Sequence, residues 1–168
     1  MHIFLTGAVQ VGKSTVIDKT LRLLGATPGG FRTYFGADRT AGHHRLYLCG
    51  GGEECPCDDA HAVAAFAPGS LPCLDVQRFE ELALAALQNE DVPLLLMDEC
   101  GRLEKKATRF HGRVYELLEG DIPILGVLRQ DANGWLDVIR SHPKVKVITV
   151  TPENRDALPE QLAALLRR

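Results

Sequence analysis

Apolar runs of strand length alternate along the chain with segments in which apolar residues recur every three to four positions, the pattern of an α/β protein with a mainly parallel sheet. His2 to Thr6 reads as the first strand. Ser14 to Leu24 follows as a helix with Val16, Ile17, Thr20, Leu21 and Leu24 on one side, and Gly25 ends it. Phe31 to Phe35 and Arg45 to Cys49 alternate as two strands paired across a polar turn around Asp38 to Gly42. Gly50 to Leu74, with three consecutive glycines and Pro68, Gly69 and Pro72 close together, predicts a loop holding one helical turn near Ala60 to Phe66. Asp75 is a good N-cap for a helix to about Asn89, its inner side formed by Val76, Phe79, Leu82, Ala83, Ala86 and Leu87. Pro93 opens an uninterrupted apolar run, Leu94 to Met97, expected of a central parallel strand. A helix over Thr108 to Leu118, a strand over Ile122 to Leu128, a short helix over Trp135 to Ser141 and a strand over Val145 to Val150 complete the series. Thr151 is expected to cap the terminal helix with Pro152 at its first position, and Pro159 to split or bend it before Leu162 to Leu166.

The length, 168 residues, fits one domain spanning residues 1 to 168. Hydrophobic residues make up 45% and charged ones 24%, which is globular composition and excludes disorder, collagen and coiled coil. A net charge of −3 gives no broad positive field, so neither nucleic acid nor an anionic membrane is an expected partner. No run approaches the roughly 18 apolar residues of a membrane helix, and the opening residues lack a signal-peptide pattern. A cytoplasmic protein with reduced thiols is expected from these features and from the odd count of five cysteines.

The chemistry starts at Gly7-Ala8-Val9-Gln10-Val11-Gly12-Lys13-Ser14, which fits G-x-x-x-x-G-K-[ST] between an apolar strand and an amphipathic helix. In a chain of this composition the string arises by chance in roughly 0.004 of sequences, before its flanks are demanded. A triphosphate tail must be wrapped by backbone N–H groups, and only a loop poor in side chains lets them approach. The amides of residues 8 to 14 are expected to point inward at the positive end of the helix. Lys13 then bridges the β- and γ-phosphates, Ser14 ligates magnesium, and Thr15 touches the α-phosphate.

Such a loop needs a carboxylate at the end of a neighbouring strand, and Leu94-Leu95-Leu96-Met97-Asp98-Glu99 supplies it. Asp98 is the expected magnesium partner. Glu99, one residue past the strand tip, is the expected general base for the attacking water. Asp98 to Gly101 also satisfies D-x-x-G, but the chain has no N-K-x-D guanine reader. Arg102, Arg109, Arg113 and Arg129 lie downstream of strand ends, and Arg129, at the end of a buried strand, is the candidate for neutralising transition-state charge.

Cys49, Cys55, Cys57 and Cys73 lie near His43, His44 and His61, but the C-x-C spacing and glycine-rich surroundings favour free thiols over a zinc site. Cys100 reads as packing, and His111 as an exposed helix residue.

Four passages, Thr6 to Thr15, Gly30-Phe31-Arg32-Thr33, Asp98-Glu99-Cys100-Gly101-Arg102-Leu103-Glu104 with Phe110, and Val145 to Arg155 with its Thr151-Pro152-Glu153-Asn154-Arg155 end, run across nearly the whole chain. Through them the chain resembles the small nucleoside-triphosphatase family known from thermophiles and from the human cancer-related nucleoside-triphosphatase. The third passage looks like that family's D-E-I-G-K-M-E and the fourth like its T-x-E-N-R. The resemblance implies a single-domain P-loop fold with a RecA-like, mainly parallel sheet flanked by helices. It implies Mg2+-dependent hydrolysis of ATP, GTP and other nucleoside triphosphates to the diphosphate and phosphate, with low base selectivity. Phe35 stands where family members usually carry an acidic residue. The same loop also serves nucleotide or small-molecule kinases and nucleotide-dependent binding modules, and these remain the alternative readings.

Overall fold

The computed structural model describes residues 1–36, 42–101, 103–130 and 134–167. Its elements follow in the order β1 (His2–Thr6), α1 (Lys13–Leu24), β2 (Gly29–Phe35), β3 (His44–Gly50), β4 (Ala62–Phe66), β5 (Cys73–Leu74), α2 (Val76–Ala86), β6 (Leu95–Cys100), α3 (Thr108–Glu119), β7 (Ile124–Leu128), α4 (Trp135–Ser141), β8 (Val145–Thr149) and α5 (Leu158–Leu166). A 3-10 turn over Leu103–Lys106 joins β6 to α3. Asp38 to Ala41 of the predicted turn, and Arg102, lie outside the described residues.

Eight described strands make one sheet in the order β5-β4-β3-β2-β6-β7-β1-β8. From β2 to β8 every neighbouring pair is parallel, while β3, β4 and β5 extend the sheet antiparallel from β2. Strand alternation divides the core in two. On one face, Phe4, Phe31, Leu95 and Met97 pack with Phe79 and Ala83 of α2, Phe110 and Val114 of α3, and Leu136 and Ile139 of α4. On the other, Ile3, Leu5, Leu96 and Leu125 pack with Val16 and Ile17 of α1 and Leu158 and Leu162 of α5. The central strands are therefore covered on both faces, which is why Leu94 to Met97 carries no polar alternation.

The helix ends have separate physical causes. Gly25 closes α1 in a left-handed conformation, φ 62°, and the Asp75 side chain accepts the Arg78 amide at the start of α2. Helix α3 has no capping side chain of its own. Buried Glu80 reaches across from α2, and its Oε1 accepts the amides of Arg109 at 2.8 Å and Phe110 at 3.3 Å. Such a tertiary cap satisfies two orphan donors that no local sequence pattern reveals.

Four local expectations are corrected. Ala62–Phe66 is strand β4 rather than a helical turn, because the open edge of β3 offers it a backbone ladder that outweighs the helix preference of its alanines. The terminal helix begins at Leu158, and residues 152–157 form turns held by Asn154, which accepts the Thr151 amide and donates to the Thr149 carbonyl. Pro159 falls in that helix's first turn, where its missing N–H costs nothing, so it starts the helix instead of breaking it. Cys49 and Cys55 are joined by a disulfide, contrary to the expected free thiols. The turn after β3 causes this: the Gly51 amide donates to Gly30 O and the Glu53 amide to Gly50 O, folding the chain back until the two Cα atoms are 5.6 Å apart.

Candidate active site

Six residues join β1 to α1, and the loop's shape depends on its glycines. Gly7 has φ 139°, and a Cβ there would stand 2.6 Å from the Val150 carbonyl oxygen; Gly12, the N-cap of α1, has φ 110°. Gln10 adopts a left-handed φ of 62° without being glycine, a strained conformation local preference would not choose. The Lys13 ammonium donates to Gly7 O at 2.9 Å and Ala8 O at 2.8 Å, so it is drawn back over the loop. Partial burial lowers its pKa, opposed by Glu99 and Asp98. Ser14 and Thr15 are exposed at the helix start. One of the expected inward amides is spent internally, since the Val11 amide donates to Ala8 O at 3.3 Å.

Across the loop's mouth stand Asp98 and Glu99. They come from β6, which does not adjoin β1 as expected; β7 lies between them and sends Val127 to the cavity wall. Nor is Glu99 past the strand tip, because β6 runs on to Cys100. In an ordinary strand, residues 98 and 99 would face opposite sides of the sheet. Here Met97 pairs with Gly126 and Cys100 with Leu128, so β6 takes three steps where β7 takes two. That bulge, with Glu99 at φ 72°, turns both acids to one cavity of about 400 Å³ that Gln10, Lys13, Ser14 and Thr15 also line.

The two acids differ in environment. Asp98 is buried, and burial pushes its pKa up to about 6, opposed by Arg32 and reinforced by Glu99. Glu99 is half-exposed and lies 3.8 Å from Arg129 Nη1. Arg129 thus sits beside the expected base, whereas Arg113 is tied to Glu90 at 2.6 Å and to the Leu87 carbonyl, and Arg109 is exposed on α3.

Among the described residues no group of three or more His, Cys, Asp or Glu side chains could hold a metal on its own. The donors that do converge, a serine hydroxyl and a carboxylate, are hard oxygen ligands. Such donors would suit a hard divalent cation such as Mg2+.

Three features of the site escaped the sequence reading. Arg32 on β2 donates from Nη1 to Asp18 Oδ1 at 2.7 Å and brings Nε to 3.5 Å from Asp98 Oδ2, fixing the buried carboxylate's surroundings. Glu104, only 3% exposed, accepts the Gly101 amide at 2.9 Å, and burial pushes its pKa up to about 7. His111 is not a simple exposed residue. Its ring stacks on Trp135 at 4.2 Å and its Nε2 donates to the Glu104 carbonyl, while Trp135 Nε1 donates to Gly101 O. Together these contacts brace the segment that follows Glu99. A signal existed only for Arg32 and Glu104, which fall within the passages that carry the family likeness.

On the far flank of the loop, Arg155 donates to Val11 O at 3.4 Å and lines a cavity of about 240 Å³ with Gly12, Thr15, Lys19 and Asp156.

Comparison with known proteins agrees with this construction. The model of a family described as NTPase matches residues 2–163. The chain is 30% identical over 169 residues to the nucleoside-triphosphatase THEP1 of Natranaerobius thermophilus, covering 96% of this chain and 94% of that protein. It is 31% identical over 172 residues to the THEP1 of Methanosarcina acetivorans, covering 96% and 94%. Among solved structures, the crystal structure of THEP1 from the hyperthermophile Aquifex aeolicus superposes with a TM-score of 0.78 at 26% identity, covering all of both chains. The solution structure of a human cancer-related nucleoside triphosphatase gives 0.76 at 27% identity, covering 99% of this chain and 97% of that one. With the match running through both the cradle loop and the Asp98-Glu99 strand, the chain belongs to the NTPase family.

Proposed function

We propose that the chain hydrolyses nucleoside triphosphates, ATP and GTP among them, to the diphosphate and phosphate, with Mg2+ and little selectivity for the base. The observation that carries the reading is the single cavity shared by Lys13, Ser14, Asp98 and Glu99. The loop amides of residues 8 to 14, Val11 excepted, and the Lys13 ammonium bind the phosphate tail; on meeting it, Lys13 exchanges its loop carbonyls for phosphate oxygens. Ser14 and Asp98 would hold Mg2+, which would supply positive charge to offset that of the phosphate tail. Glu99 accepts a proton from the attacking water as its oxygen bonds to the γ-phosphorus. The bond from that phosphorus to the β–γ bridging oxygen breaks, and the electron pair leaves with the diphosphate. Arg129, beside Glu99, offsets charge on the departing oxygens.

Low base selectivity is supported by Arg155, because a guanidinium plane stacks on any base. Phosphate release measured with ATP, GTP, CTP and UTP, each with and without Mg2+, tests the whole reading. All four should turn over within about tenfold of one another, a spread of about 1.4 kcal/mol in barrier, and chelation should abolish release. Turnover that persists after chelation overturns the metal assignment, and turnover of one nucleotide alone overturns low selectivity.

A further inference from the structure

Beyond the mouth of the cradle, at the end away from Arg155, lies a second cavity of about 350 Å³. The two cavities share Thr33, Phe35 and Glu99, so they meet at the expected general base. The Arg155 cavity shares Gly12 and Thr15 with the same mouth instead. A nucleotide whose γ-phosphate lies by Glu99 and whose α-phosphate lies by Thr15 therefore runs toward Arg155, and its base has no call on the second cavity.

That cavity is far larger than hydrolysis needs. A water molecule occupies about 30 Å³, roughly a tenth of this volume, and pockets that hold small organic ligands start near 300 Å³. Its walls are mostly apolar: Phe35 from β2, Leu46 from β3, Phe66 from β4, and Leu71 and Pro72 from the segment leading to β5. The wall is braced, since the Phe35 and Phe66 rings meet edge-to-face at 5.7 Å and His44 stacks on Phe66 at 4.7 Å. Polar groups gather at one end, where Glu99 and Glu104 face the space beside Arg129 and Thr33. The Glu99 carboxylate there repels a carboxylate ligand and accepts from a hydroxyl.

We propose that this cavity is an acceptor site for a small neutral alcohol with an apolar body, whose hydroxyl replaces water at Glu99 and takes the γ-phosphoryl group. The inference rests on the assignment of Glu99 as general base. The alcohol oxygen bonds to the γ-phosphorus, its proton passes to Glu99, and the bond to the β–γ bridging oxygen breaks. The products are a phosphate monoester and the nucleoside diphosphate, with no further reactant.

The test incubates the full chain with ATP labelled at the γ-phosphate, Mg2+, and 2-phenylethanol or cyclohexylmethanol, with phenylacetate as the charged control, and separates labelled phosphate from labelled ester. The two alcohols should yield ester at a ratio to phosphate at least about tenfold above the alcohol-to-water molar ratio, the mark of a bound acceptor. Phenylacetate should leave phosphate release as it is. Leu71, 92% exposed on the cavity rim, can be changed without disturbing the core, and Leu71→Arg should lower the ester-to-phosphate ratio at least about tenfold. Phosphate release with ester only at the molar ratio, or alcohols that compete with ATP, overturns the acceptor site and leaves hydrolysis standing. Absence of both products overturns the hydrolytic reading, and this one with it.

Discussion

In β2, β6, β7, β1 and β8 the ladders are parallel, helices cover both faces of the central strands, and the strands carry the cradle loop and both acids. Strands β3, β4 and β5 are antiparallel and take a disulfide loop at one end and the apolar cavity at the other. The difference separates two tasks. Parallel strands aim their C-terminal ends the same way, so loops from β1, β6 and β7 converge on one mouth. Antiparallel strands return at once to the same edge, and they add wall area without adding a new phosphate-facing loop.

The largest expected effect belongs to the parallel half. Glu99→Gln keeps the side chain's size and removes its ability to take a proton, so turnover should fall by about 10² to 10⁴. Nucleotide affinity, read by calorimetric titration with a non-hydrolysable analogue, should stay within a few fold because the cradle is untouched. Unchanged phosphate release would remove Glu99 from the mechanism and move the chemistry elsewhere in the sheet.

How legible each half was follows from the same contrast. Buried parallel strands write themselves as unbroken apolar runs, and Leu94 to Met97 and Ile122 to Leu128, the latter forming a strand from Ile124, were readable for that reason. The cradle was readable because backbone wrapping around phosphate restricts residue types at fixed spacing. Ala62 to Phe66 was not, since five residues rich in alanine carry no period and become a strand only when β3 is beside them. The shared orientation of Asp98 and Glu99 was also hidden, for it depends on a one-residue offset between β6 and β7 and on a left-handed glutamate. Arg32 and Glu80 act on groups far along the chain, and such pairings leave no local trace.

A smaller effect sharpens the boundary between the halves, where Glu104 faces the apolar cavity. Burial raises its pKa from 4.5 to about 7. Folding thus favours the protonated form: this contribution is full below about pH 4.5 and is lost as pH rises through 7. The loss is on the order of 3 kcal/mol. Glu104→Gln keeps an acceptor for the Gly101 amide and does not titrate, so it should match the parent near pH 4.5 and exceed it in stability above pH 7. His2 acts with the opposite sign, its pKa lowered by burial from 6.5 to about 4, so stability is lost as pH falls through that window. It is common to both proteins and cancels in the difference. Urea melts of the pair at several pH values measure the gap, and a gap that does not widen with pH rules out an ionising, buried Glu104.

The smallest of the three lies wholly in the antiparallel half. The Cys49–Cys55 bridge closes a short loop, a sequence separation of 6, so its removal should cost about 2 kcal/mol through the freedom returned to the unfolded chain. In the Cys49→Ser, Cys55→Ser double variant, amide exchange should accelerate in β3 and β4 and stay slow in β1 and β7, whose ladders do not touch that loop. Phosphate release should be unaltered, because the bridge lies at the opposite end of β3 from Leu46 and far along the strand from the mouth. If turnover falls together with exchange protection in β1, the halves unfold as one unit, and the antiparallel strands are a structural part of the catalytic sheet rather than a wall added to it.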